Sequence, residues 1–489
     1  MSLIPSDLNN TKKTILWIIL ISLGIGISFS LVLQQYWVLA IPFGAITLLA
    51  AFLYTENTLL LAGAIAPLSV NFQDLGNGFG MSLPTEPIYI FLFGLLIFHS
   101  IKEGSFIGDA WKHPLIIIVG IYIFWLWFSS LFSTMPMVSV KFALARTWYI
   151  TLFFYYGVRI FSNYEKIHFF MKWFVFFTLV VATYTLYMHS QDGFSRAASY
   201  GISWPFFPDH GMYAAALAYA VFSLLIYTLY VRQFNISIPW APILFLAFAW
   251  LMFAIVNSYT RATWLSLIVA IGAWVLTKFR IKFIWILIAF FIALGAGYLK
   301  QDDIQYALEA NKQGSSDELE GHVKSVSNIS TDPSNLERIN RWKCAARMVK
   351  ERPVFGFGAG TYVFQYGPFQ KSSELTIIST NAGDLGDAHS EYFSAMSEMG
   401  FPGLIIWLSF VFITIGVAFR IIYTTENLRI KLTTYMALLG LIAYHAHGVL
   451  NNYSQYDKLA VPLWAFTAII VALDRRNHML LTDAKSKEK

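Results

Sequence analysis

His389-Ser390, nine further residues (EYFSAMSEM), then Gly400-Phe401-Pro402-Gly403 and an apolar run from Leu404 decide how this chain is read. The stretch sets one imidazole where an aqueous loop passes into a membrane helix. Before it lies a polar region from about Lys300 to Ala388, the one long interruption in an otherwise apolar chain. On both sides hydrophobic segments follow one another: Thr14–Leu33, Trp37–Tyr54, Thr58–Val70, Pro87–Ile101, Pro114–Phe132, Phe142–Phe161, Ile167–His189, His210–Val231, Trp240–Ser258, Arg261–Thr277, Ile281–Leu299, Phe401–Ile422, Leu432–Leu450 and Leu459–Leu473. A helix needs about 20 residues to cross roughly 30 Å of hydrocarbon. The third and fourth stretches are short. An all-α polytopic membrane protein with about 12–14 transmembrane helices and one large outer loop containing amphipathic helices is therefore expected.

Composition agrees. Of 489 residues, 57% are hydrophobic and only 13% charged, against roughly 25% charge in a soluble domain. With the amino terminus in the cytoplasm, the inner loops and tails collect Lys12, Lys13, Lys102, Lys112, Lys278, Arg280, Lys282, Arg475 and Arg476. The short outer loops then hold only Lys141, Arg146, Arg196, Arg261 and Lys458. This asymmetry puts both termini inside and the large loop outside. The net charge of +6 thus reports topology and gives no support for a nucleic-acid partner. Cys344 is the only cysteine, which excludes an intrachain disulfide. Met1–Lys13 lacks a cleavage-site pattern, so the first apolar stretch reads as an uncleaved anchor.

Three units are expected: a bundle over residues 1–299, an outer loop with the reactive segment over 300–400, and further spans plus a cytoplasmic tail over 401–489. Within the loop, Lys300–Asn335 reads as polar and mobile around Gly314–Gly321. Leu336–Arg352 reads as an amphipathic helix with Ile339, Trp342, Ala346 and Val349 on its apolar face. Pro353 ends it, and Gly356-Phe357-Gly358-Ala359-Gly360 reads as a hinge.

His389 leads the candidates for chemistry, because imidazole works as a general base near neutral pH. On a helix begun at Ala388, Phe393, Met396 and Gly400 share its face, with Gly403 close to it. Glycines there let a neighbouring helix approach closely. Arg261 opens a helix entered from outside, where the positive helix end and the guanidinium together suit an anion such as phosphate. Arg196 is one of the few other outer cations, and its planar fork fits phosphate oxygens. Two arginines holding a diphosphate while a histidine activates a nucleophile is the reading these residues support. His445 and His447 stand two apart, a poor metal pair on a helix. Glu398 is expected to face water, and the outer carboxylates form no tight pair that calls for a metal.

These motifs resemble the O-antigen ligase and polymerase superfamily of bacterial envelope enzymes. The ligase pattern is His, then Asn, Ser or Gln, nine residues, and Gly-x-x-Gly, and His389, Ser390, Gly400 and Gly403 meet each position. Arg261-Ala262-Thr263-Trp264-Leu265 is similar to the family's arginine-headed span before the large periplasmic loop. Arg341-Trp342 through Pro353-Val354-Phe355-Gly356-Phe357-Gly358 resembles the helix-and-glycine stretch inside that loop. Arg196 sits where the family has another outer-loop arginine. The likeness covers about Arg196 to Asn452; the first 190 residues match only in hydropathy.

The resemblance implies a membrane glycosyltransferase of the GT-C kind in the bacterial inner membrane, with its site facing the periplasm. The donor is an undecaprenyl-diphosphate-linked glycan and the acceptor a sugar hydroxyl of lipid A–core. His389 takes the acceptor's proton, Arg196 and Arg261 hold the departing diphosphate, and the anomeric centre inverts. Arg338 and Arg341 are possible further substrate contacts. Neither metal nor cofactor is implied, and membrane lipids are the remaining partners. Polymerases and protein O-oligosaccharyltransferases of the superfamily use the same donor with other acceptors. A transporter or lipid flippase is the competing class, and it requires ionisable groups deep in several helices.

Overall fold

The computed structural model describes residues 40–72, 80–103, 108–300, 333–376, 378–380 and 386–487. The Thr14–Leu33 span, its reading as an uncleaved anchor and the mobile polar stretch around Gly314–Gly321 lie outside them. The major helices are α1 (Ala40–Leu53), α2 (Thr55–Ala64), α3 (Thr85–Glu103), α4 (Pro114–Ser130), α5 (Pro136–Ile160), α6 (Tyr164–Gln191), α7 (His210–Leu229), α8 (Ala241–Asn257), α9 (Arg261–Lys278), α10 (Phe283–Leu299), α11 (Pro333–Glu351), α12 (Glu391–Thr424), α13 (Leu428–His447) and α14 (Asp457–Lys487). Among the described residues five segments are long and apolar enough to cross a membrane: α5, α6, α7, Ile238–Asn257 and α12. α4 and parts of α1, α3 and α10 are shorter apolar helices. The chain is a mostly helical, polytopic membrane protein.

Local chemistry sets the helix ends. Proline opens α4 and α5, where its missing N–H costs no helical bond. The side chains of Asn163, Asp209, Ser390 and Asn427 accept backbone N–H bonds at the starts of α6, α7, α12 and α13, which satisfies otherwise orphaned donors.

Two expectations are corrected. Thr58–Val70 forms no span: α2 has ten residues, about 15 Å at 1.5 Å each. A short turn, Ala66–Leu68, and a strand, β1 (Val70–Phe72), follow; β1 pairs antiparallel with β2 (Met81–Leu83), Val70 opposite Leu83. The sixth span begins at Pro136, not Phe142, which brings Lys141 into α5; Arg146, already inside the expected stretch Phe142–Phe161, lies in the same helix and not in an outer loop.

The core forms around α13 and α14. From Ile430 to His447, α13 is buried nearly throughout, packed on α7 and α9. Leu459–Leu473 of α14 lies against α13, α12 and α5, with Trp464 fully buried. α8 and α10 instead expose Phe245, Leu246, Trp285 and Phe291, which suits a lipid-facing surface because acyl chains are as apolar as leucine.

Candidate active site

The reactive segment is fixed by a break in α12. Gly400 takes φ 71°, ψ −174° inside that helix, and Pro402 follows. Proline has no N–H for the Glu398 carbonyl, and Phe401 N turns away to donate to Pro353 O at 2.9 Å. Three carbonyls beside the break then need donors. Phe357 N reaches Ser397 O at 3.0 Å, Gly358 N reaches Glu398 O at 2.9 Å, and Trp125 Nε1 reaches Met399 O at 2.9 Å. A Cβ on Gly400 would collide with the Val354 carbonyl, and one on Gly356 (φ 67°) with the Glu398 carbonyl. The glycine run is thus a fitted cradle for the broken helix, where a hinge was expected. Gly400 admits a loop backbone rather than a neighbouring helix. Gly403 faces Met399 and Ala395 of its own helix.

His389 does not lie on the α12 face with Gly400. The helix starts at Glu391 with Ser390 as its cap, and His389 precedes it at φ 50°. Glu391 N donates to Gly448 O at 2.8 Å, tying this junction to the loop after α13. Trp342 of α11 donates Nε1–H to His389 O at 3.3 Å and stacks on Phe393 at 5.3 Å. Burial, then the charges of Arg338 and Arg341, push the imidazole down to about 4. It is therefore neutral near pH 7, the form a general base needs. Beside it, Asp387 is raised to about 6, first by burial, with Glu391 and Asp209 adding to the effect against a 2.9 Å bond from Asn452.

α11 presents a different buried face from the one periodicity suggests. Glu337, Asn340, Arg341, Cys344, Ala345, Met348 and Val349 point inward, while Ile339, Trp342 and Ala346 are half-buried. Arg341 Nε donates to Glu337 Oε1 at 2.6 Å, and its guanidinium lies 3.9 Å from the Tyr366 ring centre. Burial acts to raise the Glu337 carboxyl, but Ser379, Arg341 and Thr376 outweigh it and hold the group below its ordinary value. Arg338 is half-buried, and its Nε donates to Leu450 O at 3.1 Å.

Arg196 and Arg261 arrive through other elements. Arg196 begins the single helical turn Arg196–Ser199, and Arg261 begins α9. Their loops are joined: Tyr259 OH donates to Phe194 O at 2.9 Å, and His210 Nδ1 lies 2.7 Å from Ser258 O. His210, at the head of α7, is within electrostatic reach of Asp209, Arg338 and Arg196. Tyr453 closes the circuit, its OH donating to Asp209 Oδ1 at 3.1 Å and its N to Glu391 Oε1 at 2.8 Å. Thus Arg338 lies within electrostatic reach of both His389 and His210, and Arg196 within reach of His210. Arg261 is joined to this group through the turn at Ser258–Thr260.

Sequence reading passed over what lies beneath. Arg146 is 7% exposed, and its Nε and Nη1 meet no hydrogen-bond acceptor among the described residues. Tyr122, Glu391, Tyr444 and Glu398 surround it electrostatically. Glu391 accepts from Tyr444 OH, Tyr453 N, Ser454 N and Ser454 Oγ at 2.6–2.8 Å. Glu398, expected to face water, is buried and accepts from Tyr362 N at 3.1 Å. The one available signal was the position of Arg146 itself, four residues inside the apolar stretch that begins at Phe142. His445 and His447 are both buried, and no group of three or more candidate metal ligands occurs among the described residues.

Apolar helices long enough to cross a membrane, with a histidine and several arginines at helix starts and connecting loops, define a class: a polytopic membrane protein. Residues 246–408 match the family model Wzy_C, O-antigen ligase, whose members are membrane glycosyltransferases that include ligases and polymerases. The match covers about a third of the chain and contains Arg261, Arg338, Arg341, His389, Gly400 and Gly403, but neither Arg196 nor the 448–456 loop. No curated protein matches the chain.

Proposed function

We propose that the protein transfers a glycan from undecaprenyl diphosphate to a sugar hydroxyl of lipid A–core, at the periplasmic face of a bacterial inner membrane. Support comes first from the place of His389, which immediately precedes the cap of α12 and is tied through Glu391 N to the Gly448 carbonyl, with Arg338 in electrostatic reach. In this reading His389 takes the proton of the acceptor hydroxyl as that oxygen attacks the anomeric carbon. The bond to the diphosphate breaks with its electron pair going to the leaving phosphate. Arg196 and Arg261 stabilise the growing negative charge, as oriented cations do in a water-poor site, and Arg338 and Arg341 line the approach. Direct displacement inverts the anomeric centre, and the residues require no metal for it. The domain limits at 299/300 and 400/401 and the cytoplasmic placement of both termini belong to the same proposal.

The test is ligation by purified protein supplied with lipid-linked glycan and lipid A–core, read by gel mobility of the product. His389→Ala should lower the rate of product formation by about 10²–10⁴-fold while keeping the parent's thermal midpoint. Core-linked glycan formed at the parent's rate by the folded variant would refute the base assignment. Ladder-like elongation without core acceptor would assign the site to a polymerase, which uses a second lipid-linked glycan in place of core.

A further inference from the structure

The end of the bundle opposite His389 holds a cavity of about 360 Å³, lined by Asn163, Tyr164, Glu165, Asn427, Arg429, Ile430 and Arg476. It forms where the starts of α6 and α13 meet the later half of α14. Arg429 Nη2 donates to Asn235 Oδ1 at 2.6 Å, and the Arg476 guanidinium lies 5.2 Å from the Tyr164 ring centre. Each guanidinium is thus oriented by a neutral group. Among the described residues neither has a carboxylate within ion-pair distance. The floor is closed by Tyr164 OH, 2.8 Å from Thr433 Oγ1, and by His168 behind it. Arginine forks held apart in this way fit tetrahedral oxyanions.

We propose that this cavity binds the phosphate of an anionic phospholipid. Three features select that ligand. Basic pockets between membrane helices at the positively charged side of a bundle recognise acidic head groups. Glu165 on the rim opposes a dianion more than a monoanion, which favours a phosphodiester over inorganic phosphate. One turn beyond Arg476, Met479 and Leu480 are 58% and 44% exposed, which gives apolar surface beside the charge for the adjoining acyl chains. A lipid bound there ties α13 to α6 and α14 at their far ends. It is independent of the proposed transfer chemistry, since no residue is shared.

The full chain in detergent, observed by native mass spectrometry, tests the idea with phosphatidylglycerol, phosphatidylcholine and inorganic phosphate in separate arms. Phosphatidylglycerol should remain bound at least tenfold better than phosphatidylcholine. The double variant Arg429→Gln, Arg476→Gln should lose that preference while keeping the parent's elution profile. Glu165→Gln, which leaves both arginines in place, should strengthen inorganic phosphate relative to the lipid. Equal retention of the two lipids, an unchanged preference in the double variant, or displacement of phosphatidylglycerol by millimolar phosphate in the parent would each overturn the proposal.

Discussion

The rim around His389 and the buried cluster beneath it are built from similar residues in opposite conditions. At the rim Arg196, Arg261 and Arg338 are half-buried and carried on loops or helix starts. Beneath it Arg146, Glu391 and Glu398 are each less than a tenth exposed, on the transmembrane helices α5 and α12. Rim charges retain enough solvation to be held at little cost. A buried guanidinium instead depends on the opposite charges beside it, because its lost hydration is large. Proximity to the membrane surface therefore does not make an arginine functional; its surroundings decide.

Substitutions at the two levels should separate cleanly. The largest effect is expected for His389→Ala: transfer falls by about 10²–10⁴-fold, the span for a lost general base, with the thermal midpoint unchanged. Arg146→Met should do the reverse. Taking the cation from the neighbourhood of the buried Glu391 and Glu398 carboxylates is expected to cost about 1–3 kcal/mol, measurable as a lowered unfolding midpoint before any assay of activity. If Arg146→Met proves as stable as the parent, the cluster beneath the rim is not structural and the contrast collapses. Arg261→Gln should lower kcat by about 10²-fold through loss of leaving-group stabilisation, with little change in stability. A midpoint shift as large as that of Arg146→Met would move Arg261 into the structural group.

Smaller effects sharpen the boundary. Gly400→Ala places a methyl group on a left-handed backbone facing Val354 O. Strain of about 1–3 kcal/mol is expected, seen in the midpoint, with a parallel loss of activity as His389 shifts. Finally, pH distinguishes the levels. Since His389 is lowered to about 4, activity in the free enzyme should hold through pH 6 and fall only on approach to 4. Arg338→Gln removes a repelling charge and should move that acid limb upward; an unmoved limb would show that Arg338 does not act on the imidazole. For stability the sign is fixed by linkage. The unfolded chain protonates His389 near 6.5 and the folded one near 4, so this contribution is lost as pH falls between those values. Asp387, raised to about 6, works the other way, favouring the folded state below that value.

Legibility followed the distance between interacting residues. The span pattern, His389-Ser390 and the Gly400-to-Gly403 motif could be read because their signals are local. The α11 face was misread because its inward residues include Glu337, Asn340 and Arg341, whose polarity is satisfied by partners such as Tyr366, Gln370 and Ser379 far along the chain. Glu398 was assigned to water for the same reason: its donor is the backbone of Tyr362. The glycine run was read as a hinge because flexibility in isolation and close fit in context call for the same residue.

Sequence alone determined that the chain is a helical membrane protein, where its polar loop falls, and that a histidine stands at the mouth of the helix after it. Hydrophobic length and charge asymmetry are additive along a chain, so they survive without coordinates. Tertiary structure alone decided that Arg146 and both glutamates are buried, that Gly356 and Gly358 dock on the break at Gly400, and that the 448–456 loop ties the α12 junction to α7. Those outcomes depend on which donors and charges meet across hundreds of residues. Desolvation is a property of the assembled neighbourhood, which no single segment encodes.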